Sequence, residues 1–259
     1  MMAEGKNRNG PMKRFAGMTA VVTGAGRGIG ALIAKNLVEE GATVYVPDLD
    51  GKRAEKMASS LGSAAIPAKL DVTRHSEVTA FFARVANEGG GTDYLVNCAG
   101  GYVPLIPTLA VTEDEYDLVV DSNLKGTFMC CQAAIAQMVK KKRGAIVNFS
   151  SLAGRQTSPA LGVHYTAAKA GVLGLTRHLA KEFGPQGVRV NAVAPGTTEG
   201  ERVAGLLTEG DRARQLGGIP LGRFATAEDL SPVVLFLLSD EARYITGATI
   251  DINGGVLTI

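Results

Sequence analysis

Tyr165 and Lys169 are the residues whose type and spacing first suggest chemistry in this chain. On a helix, residues four apart share one face, so both side chains can reach a common pocket. A free phenol has a pKa near 10 and is a weak base at neutral pH, but a neighbouring ammonium group favours the phenolate and lowers that pKa by roughly 1–3 units. The pair can therefore move a proton, although the same spacing also arises by chance on helix surfaces.

A glycine-rich segment near the start of the chain is the second feature, and it reads Val21-Val22-Thr23-Gly24-Ala25-Gly26-Arg27-Gly28-Ile29-Gly30. A strand that runs into such a turn and then into a helix presents backbone N–H groups and the positive end of the helix dipole to a phosphate. The glycines also let a pyrophosphate approach the main chain closely. Two spacings fit, G-x-x-x-G-x-G from Gly24 and G-x-G-x-x-A from Gly26, so the register stays open.

Asp48 ends the next apolar run, 20 residues beyond Gly28. In dinucleotide-binding folds, an acidic residue about 20 positions after the glycine motif accepts hydrogen bonds from the adenosine ribose. This separation along the chain therefore strengthens the prediction of a dinucleotide site. A carboxylate there would repel the 2′-phosphate of NADP and so favours NAD. Arg27 argues for NADP, helped by the nearby Lys52 and Arg53, unless it is only a solvated loop cation. We predict NAD, with NADP as the alternative.

Short runs rich in valine and isoleucine alternate with longer segments of helical periodicity, as is typical of a parallel sheet covered by helices on both faces. We therefore predict an α/β fold, a Rossmann-type doubly wound parallel sheet of about seven strands in a single domain. The predicted strands are Thr19–Thr23, Thr43–Val46, Ala65–Leu70, Tyr94–Asn97, Ala145–Phe149, Arg189–Val193 and Thr249–Ile252.

Two helices matter for the candidate site. One begins at Thr112, where Glu115 completes a capping box, and runs to about Lys142 with Asn123 part-way along. The helix that carries Tyr165 should end near Gly184-Pro185, because glycine releases the chain and proline prevents its continuation. The segment 197–222 has weak periodicity and several glycines, which fits a lid over a pocket or a plain surface loop.

Composition limits the partners of the chain. A net charge of +2 over 259 residues gives no reason to expect nucleic acid or an anionic membrane. The polar residues 1–14 lack a signal-peptide core and are expected to be a flexible tail before one domain at 15–259. Three cysteines in apolar contexts, Cys98, Cys130 and Cys131, are predicted to be free thiols, which suits the cytoplasm. No metal site is predicted.

From about Phe15 to Gly255 the chain resembles the short-chain dehydrogenase/reductase family in its compact single-domain form. The matching segments, in the order of the family, are Thr23–Gly30, Leu70-Asp71-Val72, Asn97-Cys-Ala-Gly100, Asn123, Asn148-Phe-Ser-Ser151, Tyr165-Thr-Ala-Ala-Lys169 and Ala194-Pro-Gly196. Within the family it is most similar to 3-oxoacyl-[acyl-carrier-protein] reductases and secondary-alcohol dehydrogenases, through Ile219–Phe224 and Tyr244–Gly247.

The resemblance implies roles for individual residues. Tyr165 would exchange the proton with the substrate oxygen, Lys169 would also hold the nicotinamide ribose, and Asn123 would hold a water that passes protons towards Lys169. Ser151 would hold the substrate oxygen as charge builds there, with Ser150 as the competing candidate. Asp71 would bond the adenine amine or would only close a turn. The residues predicted to contact the dinucleotide are Gly24, Arg27, Gly28, Ile29, Gly30, Asp48, Asp71, Val72, Asn97, Ala99, Gly100, Tyr165, Lys169, Pro195, Gly196, Thr197 and Thr198.

Two positions depart from the family pattern. Cys98 stands where a second asparagine is frequent, and Gly200 stands where a threonine usually bonds the nicotinamide carboxamide. Thr197 or Thr198 would have to take over that bond, or it is not made.

Three functions remain open at this stage. The first is an NAD(H)-dependent oxidoreductase that interconverts a secondary alcohol and a ketone. The second is an NADPH-dependent 3-oxoacyl thioester reductase, and the third is a dinucleotide sensor or scaffold without catalysis. The apolar run Val233–Leu238 and the last strand also suggest a homo-oligomer, a tetramer by resemblance.

Overall fold

The computed structural model describes residues 13–158 and 160–258, so residues 1–12 of the expected tail lie outside the described part. The described residues form one sheet of seven strands in which every neighbouring pair is parallel. The strand order is β3-β2-β1-β4-β5-β6-β7. The strands are β1 Thr19–Thr23, β2 Thr43–Asp48, β3 Ala65–Lys69, β4 Tyr94–Asn97, β5 Gly144–Phe149, β6 Val188–Pro195 and β7 Thr249–Ile252. The predicted fold class is confirmed.

Two strands run further at their carboxyl ends than predicted, and both of these extensions include a proline. β2 continues through Pro47 to Asp48, and β6 continues to Pro195. Proline lacks the N–H that a ladder needs, so sequence reasoning ends a strand before it. At the last or next-to-last position of a strand, however, proline removes only one ladder hydrogen bond, and pairing persists to Pro195 and Ile252.

The described residues also form nine α-helices, joined in places by single 3₁₀ turns. The helices are α1 Gly28–Glu39, α2 Gly51–Leu61, α3 His75–Gly89, α4 Glu113–Val120, α5 Gly126–Lys141, α6 Val163–Phe183, α7 Glu201–Ala204, α8 Glu209–Gly217 and α9 Ala227–Leu238. Helices α7 and α8 lie inside the segment predicted as a lid. Among the described residues, none of the helices has the length and apolar character needed to cross a bilayer.

The core has two halves, one on each face of the sheet. Successive strand residues point to opposite faces, so Val21 belongs to one half and Val22 to the other. Helices α1 and α9 pack against the face of Val22, and helices α3, α5 and α6 pack against the face of Val21.

The apolar run of α9 is buried against the rest of the same chain. Val234, Leu235, Leu237 and Leu238 are at most 3% exposed and pack into the core on the α1 side of the sheet. The run itself therefore does not call for a second subunit.

The helix predicted from Thr112 to about Lys142 is present as three joined segments. Thr112 and Glu115 form the expected capping box at the start of α4. A π-helical turn, Asp121–Lys125, then widens the helix before α5 begins. Such single-turn π segments are rare and are frequent at functional sites. Asn123 lies within it.

Helix α6 ends at Phe183, as the sequence predicts, but the glycine that changes the direction of the chain is a later one. Gly184 keeps a right-handed conformation and opens a 3₁₀ turn, whereas Gly187 has a φ of +81°. A side chain at Gly187 would also strike the carbonyl oxygen of Lys142, at 2.2 Å from its Cβ. At the other end of the chain, Arg14, assigned to the tail, pairs with Glu40.

Candidate active site

The candidate site lies at the carboxyl ends of the strands, where the order of the chain reverses between β1 and β4. Ligands of open α/β sheets bind in the crevice at such a switch point. The glycine-rich turn after β1 meets the segment after β4 here, since Thr23 Oγ1 accepts a hydrogen bond of 3.1 Å from the amide of Ala99. A Cβ on Gly24 would lie 2.9 Å from the Cα of Ala99, so only glycine allows this contact.

The turn between β1 and α1 has the backbone conformation that a phosphate loop needs. Gly24 and Gly28 have φ values of +67° and +60°, which residues with side chains rarely adopt. A Cβ on Gly30 would lie 2.6 Å from the carbonyl oxygen of Gly24, so the first turn of α1 packs directly on the loop. The loop can therefore hold a pyrophosphate at the start of a helix, as a dinucleotide site requires.

Asp48 closes the other side of this loop. Its Oδ2 accepts a hydrogen bond from the amide of Gly26 at 3.0 Å, and its Oδ1 accepts one from the amide of Asp50, also at 3.0 Å. A Cβ on Gly26 would lie 2.7 Å from Oδ2 of Asp48. Asp48 therefore has a structural task as well as the position that the sequence assigns to a ribose-binding carboxylate.

Both arginines near this end of the site are paired with carboxylates. Arg27 Nη1 lies 3.2 Å from Oε2 of Glu201 on α7, and Arg53 Nε lies 3.2 Å from Oδ2 of Asp50. Exposed pairs of this kind contribute little to stability. They do, however, partly neutralise the cations that a 2′-phosphate would need.

Tyr165 and Lys169 lie one turn apart on α6 and face the same space. Lys169 is 5% exposed, and its Nζ lies 5.6 Å from the centroid of the Tyr165 ring. Lys169 Nζ donates a hydrogen bond of 2.8 Å to the carbonyl oxygen of Phe149, the last residue of β5. Because this contact fixes the amine at the end of a strand, the ammonium charge is held beside the phenol.

The two serines after β5 have different environments. Ser150 is 4% exposed and donates a hydrogen bond of 2.8 Å to the carbonyl oxygen of Lys169, so its hydroxyl joins α6 to β5. Ser151 is half-buried, and its Oγ accepts a hydrogen bond of 3.1 Å from the amide of Ala153. An oxygen that accepts from an amide keeps its own proton available for donation. This geometry favours Ser151 over Ser150 for binding a substrate oxygen.

Asn123 is held by its amide nitrogen and presents its amide oxygen to the site. Nδ2 donates to the carbonyl oxygens of Gly101 and Val119, at 2.5 and 2.8 Å. Oδ1 is buried and has no hydrogen-bond partner among residues 13–158 and 160–258. A Cβ placed on Gly100 would lie 2.4 Å from this oxygen and 3.6 Å from Lys169 Nζ, so both polar atoms border Gly100. A buried acceptor of this kind usually binds water or a ligand.

Asp71, which is predicted to bond the adenine amine, has hydrogen-bond partners inside the protein. Oδ1 of Asp71 accepts hydrogen bonds from both the amide and the hydroxyl of Thr73, at 2.9 and 2.7 Å. Burial alone would raise the pKa of Asp71, but these bonds and the nearby Arg74 outweigh it and lower that pKa. Asp71 is thus ionised and closes a turn, and its adenine contact stays a prediction.

Asn97 belongs to a buried polar network beneath the site. Its Nδ2 donates to Oδ1 of Asn148 at 2.8 Å, and Asn148 donates in turn to Thr176 on α6 at 3.0 Å. Burial raises the pKa of the neighbouring Cys131 thiol to about 12, so Cys131 is a packing residue and not a nucleophile. All three cysteines have free thiols, as expected, with Cys98 half-buried. Within the described residues, His, Cys, Asp and Glu form no cluster that could bind a metal.

The segment after β6 contacts β7 and α8. The amide of Gly196 donates to the carbonyl oxygen of Ile252 at 2.9 Å, which holds the segment against β7. Thr197 donates to Oε1 of Gln215 on α8 at 2.8 Å, and Thr198 donates to the carbonyl oxygen of Gly196 at 3.1 Å. Their predicted contact with a carboxamide stays untested.

Sequence reasoning missed several residues that support the site. Glu201 contacts Arg27, Gln215 contacts Thr197, and Arg155 joins the turn after Ser151 to β7. The partners of these contacts are 18, 96 and 174 residues apart in the chain, and one sequence holds no signal for such pairs.

Comparison with known proteins agrees with this geometry. The sequence model of a family described as enoyl-(acyl carrier protein) reductase, a short-chain dehydrogenase family, matches residues 24–257. A 3-oxoacyl-[acyl-carrier-protein] reductase of Staphylococcus aureus is 40% identical over 242 residues, which are 92% of this chain and 97% of the relative. The 2-(S)-hydroxypropyl-CoM dehydrogenase 3 of Xanthobacter autotrophicus is 38% identical over 256 residues, 95% of this chain and 99% of the relative.

Solved structures also indicate the same family. A crystal structure from Sinorhizobium meliloti, described as a short-chain alcohol dehydrogenase, has a TM-score of 0.89 and 38% identity, and covers 95% of this chain and 98% of its own. The chain belongs to the short-chain dehydrogenase/reductase family of NAD(P)-dependent oxidoreductases.

Proposed function

We propose that the protein interconverts a secondary alcohol and a ketone by hydride transfer with NAD(H), with Tyr165 as the general acid and base. The observation that carries this proposal is the position of the Lys169 ammonium, 5.6 Å from the Tyr165 ring centroid and bonded to the end of β5. An ammonium held beside a phenol favours the phenolate, and the phenolate is the form that accepts a proton.

The chain supplies placement and proton transfer, and a bound nicotinamide supplies the hydride acceptor or donor. In oxidation, Tyr165 takes the proton of the substrate hydroxyl while the Ser151 hydroxyl holds the same oxygen. In reduction, Tyr165 returns that proton to the oxygen of the carbonyl compound. Asn123 Oδ1 and Lys169 Nζ border Gly100 and support a route for protons away from Tyr165, as the family resemblance implies.

NAD is the proposed cofactor because of the charges around the glycine loop. The Asp48 carboxylate lies against Gly26, at the place where an adenosine ribose is expected. Arg27 and Arg53, two of the three cations that would favour a 2′-phosphate, are each paired with a carboxylate. A dianionic 2′-phosphate would therefore meet one carboxylate directly and compete with two others.

An NADPH-dependent 3-oxoacyl thioester reductase is the second candidate. Its support is the 40% identity to a protein of that name, together with Arg27 in the glycine loop. The Arg27–Glu201 pair is exposed, so a phosphate could displace Glu201 at a small energetic cost.

The experiment that tests these candidates is a steady-state assay of nicotinamide absorbance with NAD, NADP, NADH and NADPH. The substrates are a panel of secondary alcohols, their ketones and a 3-oxoacyl thioester, and Tyr165→Phe is the inactive control. Turnover of an alcohol or ketone with NAD(H) supports the proposal. Turnover confined to the thioester with NADPH supports the second candidate. Cofactor binding without turnover of any substrate would instead favour a dinucleotide sensor.

A homotetramer in the cytoplasm completes the proposal. β7 forms one edge of the sheet among the described strands, and Tyr244 is a fully exposed aromatic residue, so both are available to a second subunit. Three free thiols suit a reducing compartment. Size-exclusion chromatography with light scattering tests the assembly, and a mass of one chain would overturn it.

A further inference from the structure

Arg155 and Asp251 form a half-buried ion pair beside the site. Arg155 Nε donates to Oδ1 of Asp251 at 3.1 Å, and Arg155 Nη2 donates to Oδ2 at 3.0 Å. A third bond runs from Nη2 to the carbonyl oxygen of Thr249 at 3.3 Å. Both side chains are only 19% exposed. Two parallel bonds to a carboxylate fix the direction of the guanidinium as well as its distance.

Arg155 ends the short turn that begins at Ser151. The amide of Gly154 donates to the carbonyl oxygen of Ser151, and the amide of Arg155 donates to the carbonyl oxygen of Leu152, each at 2.9 Å. The turn also packs tightly on α6, because a Cβ on Gly154 would lie 2.7 Å from the carbonyl oxygen of Lys169. Residues 151–155 therefore form one compact unit that carries the Ser151 hydroxyl and touches the helix of Tyr165 and Lys169.

Asp251 lies on β7, next to the segment that is expected to hold the nicotinamide. β7 pairs with β6 up to Pro195 and Ile252, and the carbonyl oxygen of Ile252 accepts from the amide of Gly196. The ion pair thus joins the turn that carries Ser151 to the strand that supports Pro195 and Gly196. These two segments are on the substrate side and the cofactor side of the proposed reaction.

We infer that Arg155 and Asp251 are positioning residues, which fix the Ser151 hydroxyl relative to the nicotinamide segment through the turn 151–155 and β7. The inference rests on the proposed function, in which Ser151 holds the substrate oxygen. A hydroxyl displaced by about 1 Å can lower a rate by about 100-fold even when the displaced support lies away from the reacting atoms.

A double-mutant cycle with Ser151 tests the inference. We expect Arg155→Met to lower kcat/KM for the alcohol by about 10- to 100-fold when Ser151 is present, and by less than about twofold in Ser151→Ala. The Kd of NADH should stay unchanged. Asp251→Asn should behave in the same way, and Arg84→Met, which breaks the exposed Arg84–Glu88 pair on α3, is the matched control with wild-type rates.

Two further variants cover the case in which Arg155→Met does not fold. Arg155→Lys keeps the charge but loses the planar fork, and should give a smaller loss that again disappears in Ser151→Ala. The exchange of both residues, Arg155→Asp with Asp251→Arg, should recover part of the rate that either single change removes. Hydrogen exchange of the peptide 151–156 should accelerate in Arg155→Met or Arg155→Lys but not in Arg84→Met.

Three outcomes overturn the inference. If Arg155→Met lowers kcat/KM by the same factor with Ser151 present and in Ser151→Ala, Arg155 acts on stability or on another group. Unchanged hydrogen exchange in the peptide 151–156 would show that the pair does not hold the turn. Absence of any turnover by the unmodified protein would remove the proposed function and this inference together, whereas turnover with additive losses removes the inference alone.

Discussion

The ring of Tyr102 stands edge-on to the ring of Tyr165, with the ring centroids 6.0 Å apart and the planes at 89°. Tyr102 lies in the loop after β4, whereas Tyr165 belongs to α6, so the contact joins this loop to the proposed general acid and base. The Tyr102 ring and the Lys169 amine therefore both lie against the Tyr165 ring.

We expect Tyr102→Ala to lower kcat/KM by about 2- to 10-fold, because an edge-to-face aromatic pair contributes about 0.5–1.5 kcal/mol. Tyr102→Phe keeps the ring and should retain most of the rate. Steady-state kinetics with the best substrate of the panel measures both, with Tyr116→Ala on the outer side of α4 as a control. Equal rates for Tyr102→Ala and the unmodified protein would show that the ring contact has no role in turnover.

Tyr165→Phe removes the hydroxyl and keeps the ring that packs on Tyr102. We expect kcat to fall by about 100- to 10,000-fold, the usual contribution of a general acid and base, while NADH still binds. Fluorescence titration of NADH and steady-state rates separate the two effects. A variant with near-normal kcat would mean that another group moves the proton.

The sequence predicts those parts of the fold and site that depend on neighbours in the chain. The capping box at Thr112 and the one-face placement of Tyr165 and Lys169 follow from spacings of three to four residues, and the structure has both. Turn chemistry is also local, but Gly184 and Gly187 compete for the same task, and packing against Lys142 decides for Gly187.

Contacts between distant residues could not be predicted in this way. Arg155 and Asp251 are 96 residues apart, and Arg27 and Glu201 are 174 residues apart. Charged residues are frequent along the chain, so each has many possible partners, and only the packed fold selects one. The choice between NAD and NADP depends on such pairs, which is why the sequence alone gave conflicting signals from Asp48 and Arg27.

Cofactor preference should respond to the carboxylates around the glycine loop. We expect Asp48→Ser combined with Glu201→Gln to raise the ratio of kcat/KM for NADP to that for NAD by about 10- to 100-fold, because like-charge contacts cost several kcal/mol and Arg27 loses its carboxylate partner. Rates with both cofactors measure the ratio. Glu209→Gln, which removes a carboxylate elsewhere in the segment 197–222, should leave the ratio unchanged, and an equal shift in that variant would contradict the assignment.

The pair Arg223–Asp229 should make the folding stability of the protein depend on pH in the acidic range. Hydrogen bonds from Arg223 and from the Thr226 amide hold the pKa of Asp229 well below its ordinary value. A carboxyl group with a lowered folded-state pKa contributes stability that is present above its unfolded-state pKa of about 4 and is lost as pH falls further. Asp229→Asn should therefore lower Tm by about 2–4 °C at pH 7, with a difference that shrinks below pH 4. Glu228→Gln in the same helix turn is the control, and a difference independent of pH would contradict the mechanism.

Gly200 stands where the family resemblance implies a threonine that bonds the nicotinamide carboxamide, and the structure has room for that side chain. Its φ of 160° is extended backbone that any residue adopts, and a Cβ there would meet no atom within 4 Å. We expect Gly200→Thr to tighten NADH binding by about 2- to 10-fold, the usual contribution of one hydrogen bond. Gly200→Val has the same shape without the hydroxyl and should not tighten it. Fluorescence titration of NADH measures both Kd values, and an equal gain in Gly200→Val would assign the effect to backbone restriction instead of the carboxamide bond.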